Sequence, residues 1–129
     1  MEARKIIITG GATRIGAAIA EKLSAPNKEI VIHFNKSKSK AEILKKKLQT
    51  FGATVYLVSG DLSKEKDVSK IIKFSKSKMK FFDCLINNAS LFENDKLKNF
   101  TSKSWENHIS TNLKAPALLT KEFSKNIKG

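Results

Sequence analysis

Between the first apolar run and the first helical pattern lies Thr9-Gly10-Gly11-Ala12-Thr13-Arg14-Ile15-Gly16, a segment suited to holding a phosphate. Gly10 permits a tight turn out of a strand. Gly16 lets the following helix approach the sheet, so that the helix's free N–H groups can face a pyrophosphate. Glycine also serves plain loops, and it is the placement directly after the first strand that makes this turn a dinucleotide site in outline. Three further clusters follow apolar runs in the same way: Phe34-Asn35-Lys36-Ser37, Asp61-Leu62 and Asn87-Asn88-Ala89-Ser90. Asp61 also reads as a turn acid, and Asn87-Asn88 as an Asx-type cap, when each is taken alone.

Strands and helices must alternate to bring these clusters together. Lys5 to Ile8 is a β-branched run, followed by Ile15, Ala18, Ile19 and Leu23 at helical spacing. Glu29 to Phe34 is a second strand, Ala53 to Val58 a third and Phe81 to Ile86 a fourth. Helices fall between them, one with Ile43, Leu44 and Leu48 on a face and ending at Gly52, another with Ser63 as its expected cap and Val68, Ile71 and Ile72 buried. Trp105, Ile109, Leu113, Leu118, Leu119 and Phe123 mark helical stretches interrupted or kinked near Pro116. Strands that are apolar on nearly every position must be covered on both faces. The expected fold is therefore α/β, a Rossmann-type doubly wound parallel sheet, in one domain spanning residues 1–129.

The 129 residues carry a formal charge of +13, with 25 Lys and Arg against 12 Asp and Glu. Such an excess suits polyanions, but Arg4 and Arg14 are the only arginines, and the lysines are spread along the chain. Base readout and bidentate phosphate recognition favour Arg, so solvated helix faces are the expectation, with no dedicated nucleic-acid binding. No apolar stretch approaches the roughly 20 residues of a membrane span, and the stretch from Met1 to Ile8 lacks the roughly seven to fifteen apolar residues of a secretory signal. A cytoplasmic protein is expected. Cys84 has no disulfide partner or set of co-ligands, so no metal site is expected and the thiol reads as a small buried hydrophobe.

The clusters together resemble the short-chain dehydrogenases/reductases, whose turn reads Thr-Gly-x-x-x-Gly-x-Gly. Arg14 stands where most members have Gly, and Arg14-Ile15-Gly16 is similar to the pteridine reductase and dihydromonapterin reductase branch. The resemblance implies cofactor contacts from Thr9, Gly10, Thr13, Arg14, Ile15 and Gly16, from Asp61 and Leu62 at the adenine, and from Asn87, Asn88 and Ala89. It also implies that Asn112, in Thr111-Asn112-Leu113-Lys114-Ala115-Pro116, is the helix asparagine that holds a proton-relay water. Ser90 and Phe92 resemble the serine that contacts a pterin and the phenylalanine that stacks on it, with Arg14 bridging cofactor and substrate. Phe92 as an ordinary loop anchor stands beside that reading.

Cofactor choice follows from the second strand's end. A site for a ribose 2′-OH places an acid there, whereas a 2′-phosphate needs positive charge. Phe34, Asn35, Lys36 and Ser37 contain no acid, and the next is Glu42. NADP(H) is expected, with Lys36 and Ser37 as the 2′-phosphate contacts. His33 reads as a sheet-end residue rather than a general base.

Family chemistry moves hydride from nicotinamide to C=O or C=N with a Tyr-x-x-x-Lys pair. Tyr56 is the only tyrosine and Gly60 stands four residues after it, so these 129 residues lack the pair. The expectation is an incomplete enzyme, truncated after the fourth strand and following helix, with strand order 3-2-1-4 and a homo-oligomer when complete. Leu118, Leu119 and Phe123 should then face water. A carbonyl or 3-oxoacyl reductase fragment, or a non-catalytic dinucleotide-binding module, is the alternative.

Overall fold

The computed structural model describes residues 4–93 and 96–127; Met1 to Ala3 and Gly129 of the expected domain lie outside the described residues. Its elements alternate as β1 (Lys5–Ile8), α1 (Arg14–Leu23), β2 (Glu29–Phe34), α2 (Lys38–Thr50), β3 (Thr54–Ser59), α3 (Glu65–Met79) and β4 (Cys84–Ile86). A long helical segment follows: α4 (Ser102–Ile109), a π turn (Ser110–Lys114) and α5 (Ala115–Ser124). The four strands are all parallel, in the order β3-β2-β1-β4, with Ile6 beside Ile30 on one side and Cys84 on the other. This is the doubly wound arrangement expected from the apolar strands.

Alternation along each strand sends neighbouring side chains to opposite faces. Ile6, Ile8, Ile30, Ile32 and Val55 therefore pack with Ala20 of α1 and Leu44 and Leu48 of α2. Ile7, Val31 and Val58 turn the other way, onto Val68 and Ile71 of α3 and Ala115 and Leu119 of α5. With both faces covered, the loops at the carboxyl ends of the strands are left to form a site.

Three expectations need correction. Ser63 does not cap α3: Lys64 occupies that position, and the Ser63 N–H and hydroxyl both donate to Asp61 Oδ1, at 2.9 and 2.7 Å. The fourth strand is three residues long, not six. Ahead of it, the Asp83 carboxylate accepts from the N–H groups of Arg4 and Lys5, and Phe82 pairs in parallel with Ile127 instead of with β1. Finally, Leu119 is fully buried against α3, and Leu118 and Phe123 are half-buried, the Phe123 ring 6.0 Å from that of Phe82. The large apolar residues of this segment that are exposed are Trp105, Ile109 and Leu113.

Candidate cofactor site

The turn from β1 to α1 is built by close approach. Gly10 adopts φ +61°, and a Cβ there would meet Ala89 Cα at 2.9 Å. A Cβ on Gly16 would collide with the Gly10 carbonyl oxygen and lie 2.6 Å from Asn88 Nδ2. Only glycine fits either place. Thr9 and Asn88 stitch this turn to the end of β4. The Thr9 hydroxyl accepts from the N–H groups of Asn88 and Ala89, both at 3.1 Å, and the Asn88 amide donates to the carbonyls of Thr9 and Gly10 at 3.2 and 3.1 Å. Both side chains are thus committed to backbone groups, Thr9 to those after β4 and Asn88 to those of the turn.

The start of α1 keeps its donors available. Thr13 at the N-cap is extended, its side chain makes no capping bond, and the first turn contains no acid. The opening N–H groups of a helix lack intrahelical partners, and their partial positive charge favours an anion. Arg14 is exposed and makes no hydrogen bond or ion pair among the described residues. Its φ of +49° lies in the left-handed region that an arginine enters only at a cost.

A cleft of about 1100 Å³ opens in front of this turn. Gly10, Thr13, Arg14 and Ile15 line one wall, Asn35, Lys36 and Ser37 a second, and Asp61 and Leu62 a third. Asn88, Ala89 and Ser90 close it on the side of β4. Asp61 is held ionised: the Ser63 hydroxyl and N–H bonds pull its carboxyl below the usual value, helped by the charges of Lys64 and Lys36. Lys36 itself is exposed and has no hydrogen bond or ion pair among the described residues. The donor set therefore fits a phosphorylated dinucleotide: free helix amides, a cation on each side and a fixed carboxylate between β3 and α3.

Several anticipated residues lie elsewhere. Phe34 is buried in the core, so its side chain is outside the cleft. Asn87 is exposed and donates to the Thr120 hydroxyl at 3.2 Å. Phe92 is 85% exposed and is not among the residues lining the cleft. Asn112 sits in the π turn, where its amide holds both backbone groups of Leu91, accepting at 2.7 Å and donating at 2.8 Å. Next to it His108 accepts from the Glu93 N–H at 3.0 Å and donates from Nδ1 to the Ser104 carbonyl at 2.7 Å. These two side chains anchor the loop that carries Ser90 and Phe92.

Sequence reasoning missed Lys40 and Lys47, which line the cleft from α2. Their seven-residue spacing, two helical turns, is the signal that places them on one face. It also missed His33 as a structural link. Nothing in the spacing of His108 marks it.

This fold and turn define a dinucleotide-binding α/β domain. The sequence profile described as short chain dehydrogenase matches residues 4–129, and the chain belongs to that family. It is 28% identical over 113 residues to the short-chain dehydrogenase/reductase FrzI of a Cladobotryum species, covering 88% of this chain and 44% of the relative. Identity is 27% over 111 residues to the 3-oxoacyl-(acyl-carrier-protein) reductase FabG of Staphylococcus epidermidis, covering 86% and 46%. Among solved structures, FolM alternative dihydrofolate reductase 1 of Brucella suis in complex with NADP superposes with a TM-score of 0.87 at 32% identity, covering 97% of this chain and 50% of that one. The chain spans about half the length of the curated relatives it matches.

Proposed function

We propose that this chain forms the cofactor-binding half of an NADP(H)-dependent oxidoreductase that transfers hydride to a C=N or C=O group. One observation carries the cofactor choice: Lys36, unpaired among the described residues, lines the cleft just after β2, where an NAD-selective site needs an acid. In this reading the α1 amides, Thr13 and Arg14 bind the pyrophosphate, Lys36 and Ser37 bind the 2′-phosphate, and Asp61 with Leu62 meets the adenine. The bound cofactor supplies the hydride. Gly10, Gly16, Thr9 and Asn88 shape the cradle, and Asn112 holds the loop that borders the nicotinamide end. The 32% sequence identity to a FolM alternative dihydrofolate reductase 1 and the sequence Arg14-Ile15-Gly16 support a pterin-type substrate, with Ser90 and Arg14 as its contacts. The position of Phe92 outside the cleft favours a second reading, a general carbonyl or 3-oxoacyl reductase. Exposed Trp105, Ile109 and Leu113 support a homo-oligomer, and a cytoplasmic setting fits an NADPH-dependent enzyme.

Fluorescence titration with NADPH and NADH tests the cofactor. NADPH should bind more tightly, and Lys36→Ala should weaken NADPH roughly tenfold while leaving NADH unchanged, as for loss of one charge-assisted contact. Equal affinity for the two dinucleotides overturns the assignment. Comparing NADPH-dependent turnover of dihydropterin and 3-oxoacyl substrates by the whole gene product separates the two substrate readings.

A further inference from the structure

His33, the penultimate residue of β2, is 2% exposed and bridges two of the turns that shape the cleft. Its Nδ1 accepts from the Gly10 N–H at 3.1 Å, and its Nε2 lies 2.8 Å from the Gly60 carbonyl. Because an amide N–H can only donate and a carbonyl can only accept, the ring is fixed as the neutral tautomer protonated at Nε2. The same residue's backbone carbonyl accepts from the Gly11 N–H at 3.0 Å, so Gly10 and Gly11, two of the three glycines of the phosphate turn, hang on His33. Gly60 precedes Asp61, so the ring's other end fixes the acid side of the cleft.

We propose that His33 is a positioning residue for dinucleotide binding, holding the Gly10 turn and the Asp61 turn at the separation the cofactor needs. The proposal rests on the dinucleotide reading above. A ring protonated at Nδ1 turns a donor toward the Gly10 N–H, and the link breaks. Burial opposes that protonation most strongly. The charged groups acting on the ring both come from α3 and have opposite sign: Lys70 disfavours the cationic ring and Asp67 favours it. Leucine at this position would leave a buried N–H and a buried carbonyl unpartnered. Asparagine places its amide oxygen near the Nδ1 position and cannot titrate.

The experiment measures NADPH and NADH affinity of wild type, His33→Asn and His33→Leu by fluorescence, with melting curves to report folding. NADH is included because it lacks the 2′-phosphate, whose own titration near pH 6 would obscure that of the ring. At pH 7.5, His33→Asn should keep affinity within about twofold of wild type and His33→Leu should lose about tenfold or more. Equal affinity of wild type and a folded His33→Leu overturns the role. A second measurement needs no variant: long-range 1H–15N correlation on wild type should show the Nε2-protonated tautomer, and NADH affinity should fall as the ring protonates. A ring protonated at Nδ1 at pH 7.5, or NADH affinity constant through the ring's titration, overturns the proposal. If wild type binds neither dinucleotide, the dinucleotide reading itself fails and the role goes with it.

Discussion

Replacing Arg14 by glycine should move stability and cofactor affinity in opposite directions. At φ +49° an L side chain costs about 1–2 kcal/mol relative to the right-handed region. Glycine removes that strain but loses about 0.5–1 kcal/mol through its greater freedom in the unfolded chain. The net gain is about 0.5–1 kcal/mol, which for a 129-residue domain raises Tm by about 2–4 °C. The guanidinium has no partner among the described residues, so no interaction with them offsets this gain. On the proposed reading its partner is the pyrophosphate, and removing it should weaken NADPH about five- to tenfold, as for one solvent-accessible charge-assisted bond. Arg14→Lys provides the control, because it keeps both the charge and the strained backbone: Tm should match wild type, with affinity intermediate. Thermal melts by circular dichroism and NADPH fluorescence titrations read the two quantities separately. A lower Tm for Arg14→Gly, or unchanged NADPH affinity, would refute the reasoning.

Other substitutions and conditions have equally definite outcomes. Gly16→Ala drives a methyl group into the Gly10 carbonyl and should destabilise the fold by about 1–3 kcal/mol, seen as a lower midpoint in urea. Leu119→Ala, at a fully buried position, should cost about 2–5 kcal/mol, whereas Leu113→Gln at an exposed one should stay within about 0.5 kcal/mol. Acid should weaken the fold in two stages. Burial lowers the pKa of His33 below its ordinary 6.5, so the stability present above that pH is lost as pH falls below it and the unfolded ring takes up protons first; His33→Asn should abolish this stage. Asp61, lowered by its Ser63 bonds, contributes stability above its ordinary value of 3.8 that is lost at lower pH, and Ser63→Ala should shrink this second stage in urea midpoints measured against pH.

Strands apolar on nearly every position, each followed by a helix, were enough to predict a parallel sheet, because both of its faces must be covered and the helices between strands supply the cover. Lys5–Ile8 and Glu29–Phe34 appear with the predicted bounds. The β1 to α1 turn was legible for a similar reason, since Gly10 and Gly16 sit where no side chain has room. Long-range polar competition was not legible. Ser63 looked like a cap and instead holds Asp61, and Asp83 takes the N–H groups of Arg4 and Lys5 ahead of a shortened β4. Phe34 enters the core, as its place in an apolar strand indicates, whereas Phe92 faces solvent and its neighbours give no sign of that.

The π turn at Ser110–Lys114 acts as a phase shifter. In an unbroken helix of 3.6 residues per turn, Leu119 would lie about 40° around the axis from Trp105. One extra residue in the turn rotates everything after it by about 100°, to roughly 140° from Trp105. This is why a stripe that looks continuous in the sequence splits, Trp105 staying 58% exposed and Leu119 closing against α3 at 0%. The same bulge holds Asn112 against Leu91, so shortening it by one residue would rotate the inward face of α5 and detach the loop in a single step.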